Sequence, residues 1–94
     1  MLANRVREYT TTVGTGDIKL GGALAGHLRF ADAFAAGDSV IYVIEDDDNY
    51  EIGTGTLTGG TTLARTSISE TLIDGVLDKD APEAISLSGT ARIY

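Results

Sequence analysis

The fold is decided by residues 39–58, which read SVIYVIE (39–45), DDDN (46–49) and YEIGTGTLT (50–58). The first segment is rich in β-branched and aromatic residues, which favours a strand. Because it is apolar on both faces, we expect a central strand that is covered on both sides. Asp and Asn tolerate left-handed backbone and are typical of turns. The last segment alternates with a period of two, so the pattern predicts a β-hairpin.

The residues before this hairpin give weaker signals. Residues 5–13 (RVREYTTTV) predict a first strand, and residues 18–20 (IKL) predict a hairpin or bulged continuation after the break at 14–17. Residues 24–36 contain several alanines and two phenylalanines four positions apart, so a short helical turn competes there with a short strand at 28–30.

The residues after the hairpin predict two more strands, at 61–68 (TTLARTSI) and at 84–94 (AISLSGTARIY) with a break at Gly89. Between them, residues 69–83 are acidic and contain the only proline, Pro82, which favours a long surface loop. The predicted fold class is therefore all-β: a small antiparallel β-sandwich or barrel with one long acidic loop. We expect a single domain over residues 1–94, in which residues 1–12 form an arm or edge strand that pairs with its own chain or with a neighbour.

Composition limits the function. The chain has 94 residues with 12 glycines, 12 threonines and no cysteine, which excludes a multi-domain enzyme and a disulfide scaffold. With 43% hydrophobic and 22% charged residues, the chain is too apolar for intrinsic disorder. A chain of this size buries only about 60–65% of its unfolded surface. The thin core that results makes us expect stabilisation by partners or by oligomerisation.

Charge excludes further classes. The net charge is −7, and the seven basic residues are scattered, which argues against a groove for nucleic acid. No run of eighteen apolar residues predicts a membrane span. The first five residues lack the apolar stretch of a signal peptide, so we expect synthesis in the cytoplasm.

No motif predicts a cofactor or a catalytic residue. The glycine-rich stretches 14–22 and 53–60 lack the Lys-Ser or Lys-Thr of a Walker loop and the third glycine of a dinucleotide site, so turns and bulges explain them better. His27, the only histidine, has no nucleophile elbow to serve. The acidic run Asp46–Asp48 lacks the EF-hand order, which leaves a solvated turn as the prediction and a weak calcium site as the open alternative. We predict no metal site.

The tyrosines are the best candidates for contacts with other molecules. Tyr42 is predicted to lie in the core, whereas Tyr50 lies at the hairpin end and Tyr9 and Tyr94 lie near the termini. Tyrosine is favoured at surfaces that are partly buried and partly wet. We therefore predict that Tyr9, Tyr50 and Tyr94 make oligomer or docking contacts.

Several segments together resemble a small module that is common in the virion proteins of tailed bacteriophages. They read NRVREYTTT (4–12), GTG (14–16), IKLGGA (18–23), VIYVIED (40–46), YEIGTGT (50–56), LARTSI (63–68) and LSGTARIY (87–94). The resemblance covers nearly the whole chain except residues 69–83, where related sequences carry a short Asn/Ser/Gly loop. Relatives often have a tryptophan where this chain has Tyr50.

The resemblance implies a non-enzymatic virion protein, a compact β domain that docks on the exterior of the particle as a homo-oligomer. Because we expect no fibre shaft after Tyr94, a capsid decoration, cement or spike-base role is favoured over a tail or tail-fibre attachment protein. The expected partners are phage capsid or tail proteins, not nucleic acid or membrane. Two other classes remain open: a carbohydrate-binding β-sandwich, and a small hydrolase with convergent acids in a cleft.

Overall fold

A computed structural model describes residues 6–59 and 61–94. In these residues the secondary structure consists of nine strands and one short helix. In chain order they are β1 (Glu8–Tyr9), β2 (Val13–Gly14), β3 (Ile18–Lys19), α1 (Phe30–Ala33), β4 (Ser39–Asp46), β5 (Asn49–Thr58), β6 (Thr62–Ile73), β7 (Val76–Asp78), β8 (Leu87–Ser88) and β9 (Arg92–Ile93).

The strands form one curled antiparallel sheet in the order β1-β9-β4-β5-β6-β3, with β7 paired to β6, while β2 and β8 form a separate ladder. The two edges of the sheet approach each other through residues 18–23. At one end Leu20 N donates to Thr61 O (2.8 Å), and at the other Gly21 N donates to Tyr9 O (2.7 Å). The result is a half-barrel around one apolar core, which confirms the all-β fold class. No described helix is long and apolar enough to cross a membrane.

The predicted β4–β5 hairpin is confirmed: its strands pair from Ser39↔Thr56 to Asp46↔Asn49. Asp47 has a φ of 54° in the turn, a left-handed conformation that Asp accepts more readily than most residues. The expectation that both faces of β4 are covered is wrong. Val40, Tyr42 and Ile44 face the core, whereas Ile41 is 45% exposed on the outer face. The strand is central because β5 and β9 flank it, but only the concave face of the sheet is filled.

Gly53 and Gly55 of β5 leave room for the Tyr42 ring on the inner face of the sheet. A Cβ at Gly53 would come within 2.6 Å of the Tyr42 hydroxyl and 2.5 Å of Ser67 O, and one at Gly55 within 2.4 Å of Ala64 O. The register with β6 shifts at both glycines. Such bulges increase the local twist and bend the sheet. The interpretation of these glycines as bulge residues is therefore confirmed.

The predicted first strand at 5–13 is interrupted. Only Glu8–Tyr9 and Val13–Gly14 are strands, and β3 pairs with β6 instead of forming a hairpin with its neighbour. Between β3 and the residues that connect β1 to β2, threonine side chains take the place of backbone hydrogen bonds. Thr10 Oγ1 donates to Lys19 O (2.6 Å) and accepts from Thr12 N (3.1 Å). Of the predicted arm 1–12, residues 1–5 lie outside the described residues. From Val6 onward the arm pairs within its own chain, through β9, Leu28 and Ala23.

Between residues 24 and 36 the helical alternative is confirmed, over Phe30–Ala33 only. Asp32 Oδ2 accepts from Arg29 N (3.0 Å) and fixes the first turn. Phe30 and Phe34 stack with ring centroids 6.1 Å apart and both are buried. The helix and the residue that follows it therefore contribute two aromatic side chains to the core.

The predicted long loop at 69–83 is wrong for residues 69–78, which belong to a hairpin. Strand β6 continues to Ile73, and β7 pairs back on it through Thr71↔Asp78, Leu72↔Leu77 and Ile73↔Val76. Asp74 and Gly75 form the turn with φ values of 50° and 81°, the left-handed pair that tight hairpins require. The predicted strand at 84–94 is likewise reduced to β8 and β9, with Gly89 (φ 105°) at the expected break.

Candidate docking surface and buried carboxylates

The most buried polar cluster lies on the concave face, where β4, β5 and β6 run side by side. Glu51 and the Arg65 side chain are 0% and 3% exposed and form an ion pair of 3.2 Å. The Tyr42 hydroxyl donates to Glu51 Oε2 at 2.6 Å. The three strands thus bring Tyr42, Glu51 and Arg65 together beneath the segment that precedes β8.

This cluster fastens the segment before β8 to the sheet. Ile85 N donates to Glu51 Oε1 (2.9 Å), and Arg65 Nη1 donates to Ile85 O (2.8 Å). Arg65 Nη2 also donates to Gly14 O (3.3 Å). Both Glu51 oxygens accept hydrogen bonds, so the buried charge is compensated as a buried carboxylate requires. Burial, then the hydrogen bond to Glu51 and its negative charge, raise the pKa of the Tyr42 hydroxyl well above its usual value.

Two further buried carboxylates act in the same way. Glu8 accepts from Phe30 N (2.7 Å) and Gly22 N (3.1 Å), which holds the start of the helix and the loop before it against β1. Asp46 accepts from Ser88 N and Ser88 Oγ, both at 2.7 Å. Part of the acidic excess therefore serves the fold, since each of these acids on a strand binds backbone N–H groups of a segment that crosses the sheet.

The predicted contact residues Tyr9, Tyr50 and Tyr94 all lie on the outer, convex face, but not as one patch. The register places Tyr9 beside Arg92, Arg92 beside Glu45, and Glu45 beside Tyr50. Three strand spacings separate Tyr9 from Tyr50, which is about 14 Å across the sheet. The tyrosines therefore form separate points on one face.

Each tyrosine already has a partner within the chain. The Tyr9 ring packs on Gly21, where an added Cβ would lie 2.9 Å from it. The Arg7 guanidinium lies over the Tyr94 ring, 4.7 Å from its centroid, and pairs with Glu45 (3.2 Å). Burial, followed by the hydrogen bond to Glu45, raises the pKa of the Tyr94 hydroxyl.

The Tyr50 hydroxyl donates to Glu70 Oε2. This hydrogen bond is the main cause that raises the pKa of Tyr50.

Within the described residues, neither the acidic run Asp46–Asp48, for which a weak calcium site was the open alternative, nor His27 forms a site with other side chains. Asp46 turns inward to Ser88, whereas Asp47 and Asp48 are exposed in the turn. Within residues 6–59 and 61–94, no three His, Asp or Glu side chains converge on a point that could hold a metal ion. His27 is half-buried, and its Nδ1 lies 3.1 Å from Ala25 O.

One surface, on the β6–β7 hairpin, was not predicted from the sequence. Val76, Leu77 and Ile73 are 67%, 53% and 38% exposed, which is unusual for three neighbouring large apolar residues. Ile73 and Val76 line a groove of about 410 Å³ together with Thr71, Asp78, Ala81, Glu83 and Ala84. We call this the hairpin groove. The signal was present as Asp74-Gly75 between apolar residues, a strong local indication of a hairpin.

Comparisons of the chain with protein-family models, with curated proteins and with solved structures found no match.

Proposed function

We propose that the protein is a non-enzymatic structural component of a tailed-bacteriophage particle, which docks on the exterior as a capsid decoration, cement or spike-base protein. The observation that carries the proposal is the pair of exposed apolar side chains, Ile73 and Val76, that lines a groove at the end of the β6–β7 hairpin. Exposed apolar side chains that line a groove are a feature of protein interaction sites. The resemblance of the sequence to phage virion modules supplies the class of partner.

The distribution of acidic residues also supports a structural role. The three buried carboxylates Glu8, Asp46 and Glu51 all accept backbone N–H groups of other segments. Such bonds stabilise the packing of segments, each by about 1.5–3 kcal/mol where the acceptor is charged. These acids are thus accounted for by the fold itself.

The proposal is tested on particles. Phage particles that carry the gene are purified on a density gradient and analysed by quantitative mass spectrometry, with the major capsid protein as the internal standard. We expect the protein at many copies per particle, and as a discrete oligomer in solution by light scattering. Crosslinking to capsid proteins supports the decoration role, whereas crosslinking to tail or baseplate proteins selects the tail or tail-fibre attachment role.

Two results would overturn the proposal. One is a strictly monomeric protein that is absent from particles. The other is turnover of peptidoglycan by the purified protein that is lost on substitution of a single surface carboxylate, since a structural component has no need of such activity.

A further inference from the structure

We propose that the hairpin groove is the docking site for an extended, basic segment of a different particle protein, a segment that carries an apolar side chain between lysines or arginines. This inference rests on the proposed function and adds to it the place of contact and the chemistry of the partner.

The apolar residues of the groove explain why the proposed partner segment carries an apolar side chain. Ile73 and Val76 form a cross-strand pair at the end of the hairpin. Val76 is 67% exposed, and small residues, Ala81 and Ala84, form part of the opposite wall. A volume of about 410 Å³ exceeds what one aliphatic side chain needs and leaves room for the backbone that carries it.

The charges around the groove select a basic partner. Asp78 and Glu83 line it, Asp74 lies in the turn of the hairpin, and Asp80 follows β7 directly. Lys79 is the one cation among residues 70–83, and it pairs with Glu70 at 3.7 Å. A second copy of this chain would bring a further net charge of −7, so like-charge repulsion opposes self-association here.

The groove is built into the fold, which limits the ordering that binding requires. Asp78 Oδ1 accepts from Asp80 N and Ala81 N, both at 3.1 Å, and so shapes the turn that leads into the far wall. At the end of that wall, Ile85 is held by Glu51 and Arg65. Within the described residues no strand pairs with the outer edge of β7, so an extended partner can add main-chain hydrogen bonds there.

The test uses three end-blocked octapeptides and the full chain labelled with ¹⁵N. One peptide alternates lysine with valine, the second alternates lysine with serine, and the third alternates glutamate with valine. We expect the Lys/Val peptide to bind with a dissociation constant on the order of 1 mM or tighter and to shift the amide signals of residues 71–84. The other two peptides should bind at least about tenfold more weakly. Raising the salt concentration to about 1 M should weaken binding, because the Debye length falls to about 3 Å.

Variants locate the contact. Val76→Ser removes the exposed apolar wall and should weaken Lys/Val binding at least about fivefold. Leu77→Ser is the matched control, since Leu77 is the neighbouring exposed residue but does not line the groove. Glu83→Lys should weaken binding of the Lys/Val peptide and strengthen binding of the Glu/Val peptide. A misfolded variant cannot produce that exchange of preference.

The proposal fails if the Lys/Ser peptide binds as well as Lys/Val, if no peptide binds, or if Val76→Ser and Leu77→Ser behave alike. It also fails if sedimentation shows a dimer that Val76→Ser dissociates, because a second copy would then occupy the groove. Incorporation into particles separates this result from the proposed function. Val76→Ser that enters particles as fully as Leu77→Ser contradicts the groove alone, whereas absence of the unsubstituted protein contradicts the function itself.

Discussion

The molecule contains two hairpins that have similar turns but differ in how far their apolar residues are buried. Both β4–β5 and β6–β7 turn at an aspartate with positive φ, and both carry apolar residues on either side of the turn. Segments that cross the concave face cover β4–β5, where Val40, Tyr42 and Ile44 are fully buried. At the end of β6–β7, the facing segment is acidic and made of small residues, and Val76 stays exposed. Turn chemistry therefore makes a hairpin, whereas the burial of its apolar residues depends on which distant segment lies across it.

The largest effect is expected from Arg65→Met, which breaks the cluster that holds the covering segment on β5. The substitution leaves Glu51 buried without its cation and removes the donors to Ile85 O and Gly14 O. Breaking a buried pair in this way costs about 3–5 kcal/mol. Chemical denaturation followed by circular dichroism should show the loss as a large fall in the free energy of unfolding.

Arg92→Met is the matched control, because Arg92 is exposed on the outer face. Its effect should stay within about 0.5 kcal/mol. Adding Glu51→Gln to Arg65→Met should recover part of the loss, since the uncompensated charge is removed. If Arg65→Met and Arg92→Met have the same free energy of unfolding, the Glu51–Arg65 cluster does not stabilise the covering segment on β5.

The part of the fold that could be predicted from the sequence is the part with local signals. The β4–β5 hairpin, the turn at Asp47 and the burial of Tyr42 follow from periodicity and turn chemistry, and all three are confirmed. The Asp74-Gly75 hairpin had an equally local signal, which the surrounding acidic residues concealed. The roles of Glu51 and Arg65 could not be predicted, because their backbone partners at Ile85 and Gly14 are set by tertiary structure.

The candidate site, too, could be predicted from the sequence only in part. Tyrosines are recognisable in a sequence as residues that favour interfaces, but their existing partners are not. Tyr94 lies under Arg7, and Tyr50 bonds to Glu70, through contacts between distant positions in the chain. The hairpin groove depends on residues 81–84 lying across the end of β6–β7, which no pattern of spacing within either segment reveals.

A smaller and pH-dependent effect is expected from Tyr42→Phe. The substitution removes the donor to Glu51 Oε2 and should cost about 1–3 kcal/mol at neutral pH. Because burial and Glu51 raise the pKa of Tyr42 in the folded state, the folded protein keeps this proton above pH 10.0, the ordinary value, where the unfolded chain loses it. The free energy of unfolding should therefore fall as the pH rises above about 10, by up to about 1.4 kcal/mol per pH unit from this group.

Denaturation at a series of alkaline pH values checks the sign. In Tyr42→Phe the fall should be shallower, because this proton no longer distinguishes the two states. Tyr50→Phe is the comparison: the Tyr50 pKa is also raised, by Glu70, but the group lies at the surface, where solvent screens the interaction. Its removal should change the slope less. An identical slope in Tyr42→Phe and the unsubstituted protein would contradict the coupling between Tyr42 and Glu51.

The smallest effect is expected from Val76→Thr, which is compared with Val40→Thr, the same substitution in the other hairpin. Val40→Thr places a hydroxyl in the filled concave face, where Val40 is 0% exposed, and should cost about 1–3 kcal/mol. Val76→Thr keeps the β-branched shape on the exposed hairpin and should change the free energy of unfolding by less than about 0.5 kcal/mol. Thermal and chemical denaturation of the pair measures the difference. A large loss in Val76→Thr would mean that Val76 is covered within its own chain, and the hairpin groove would then lose the apolar wall on which its proposed partner depends.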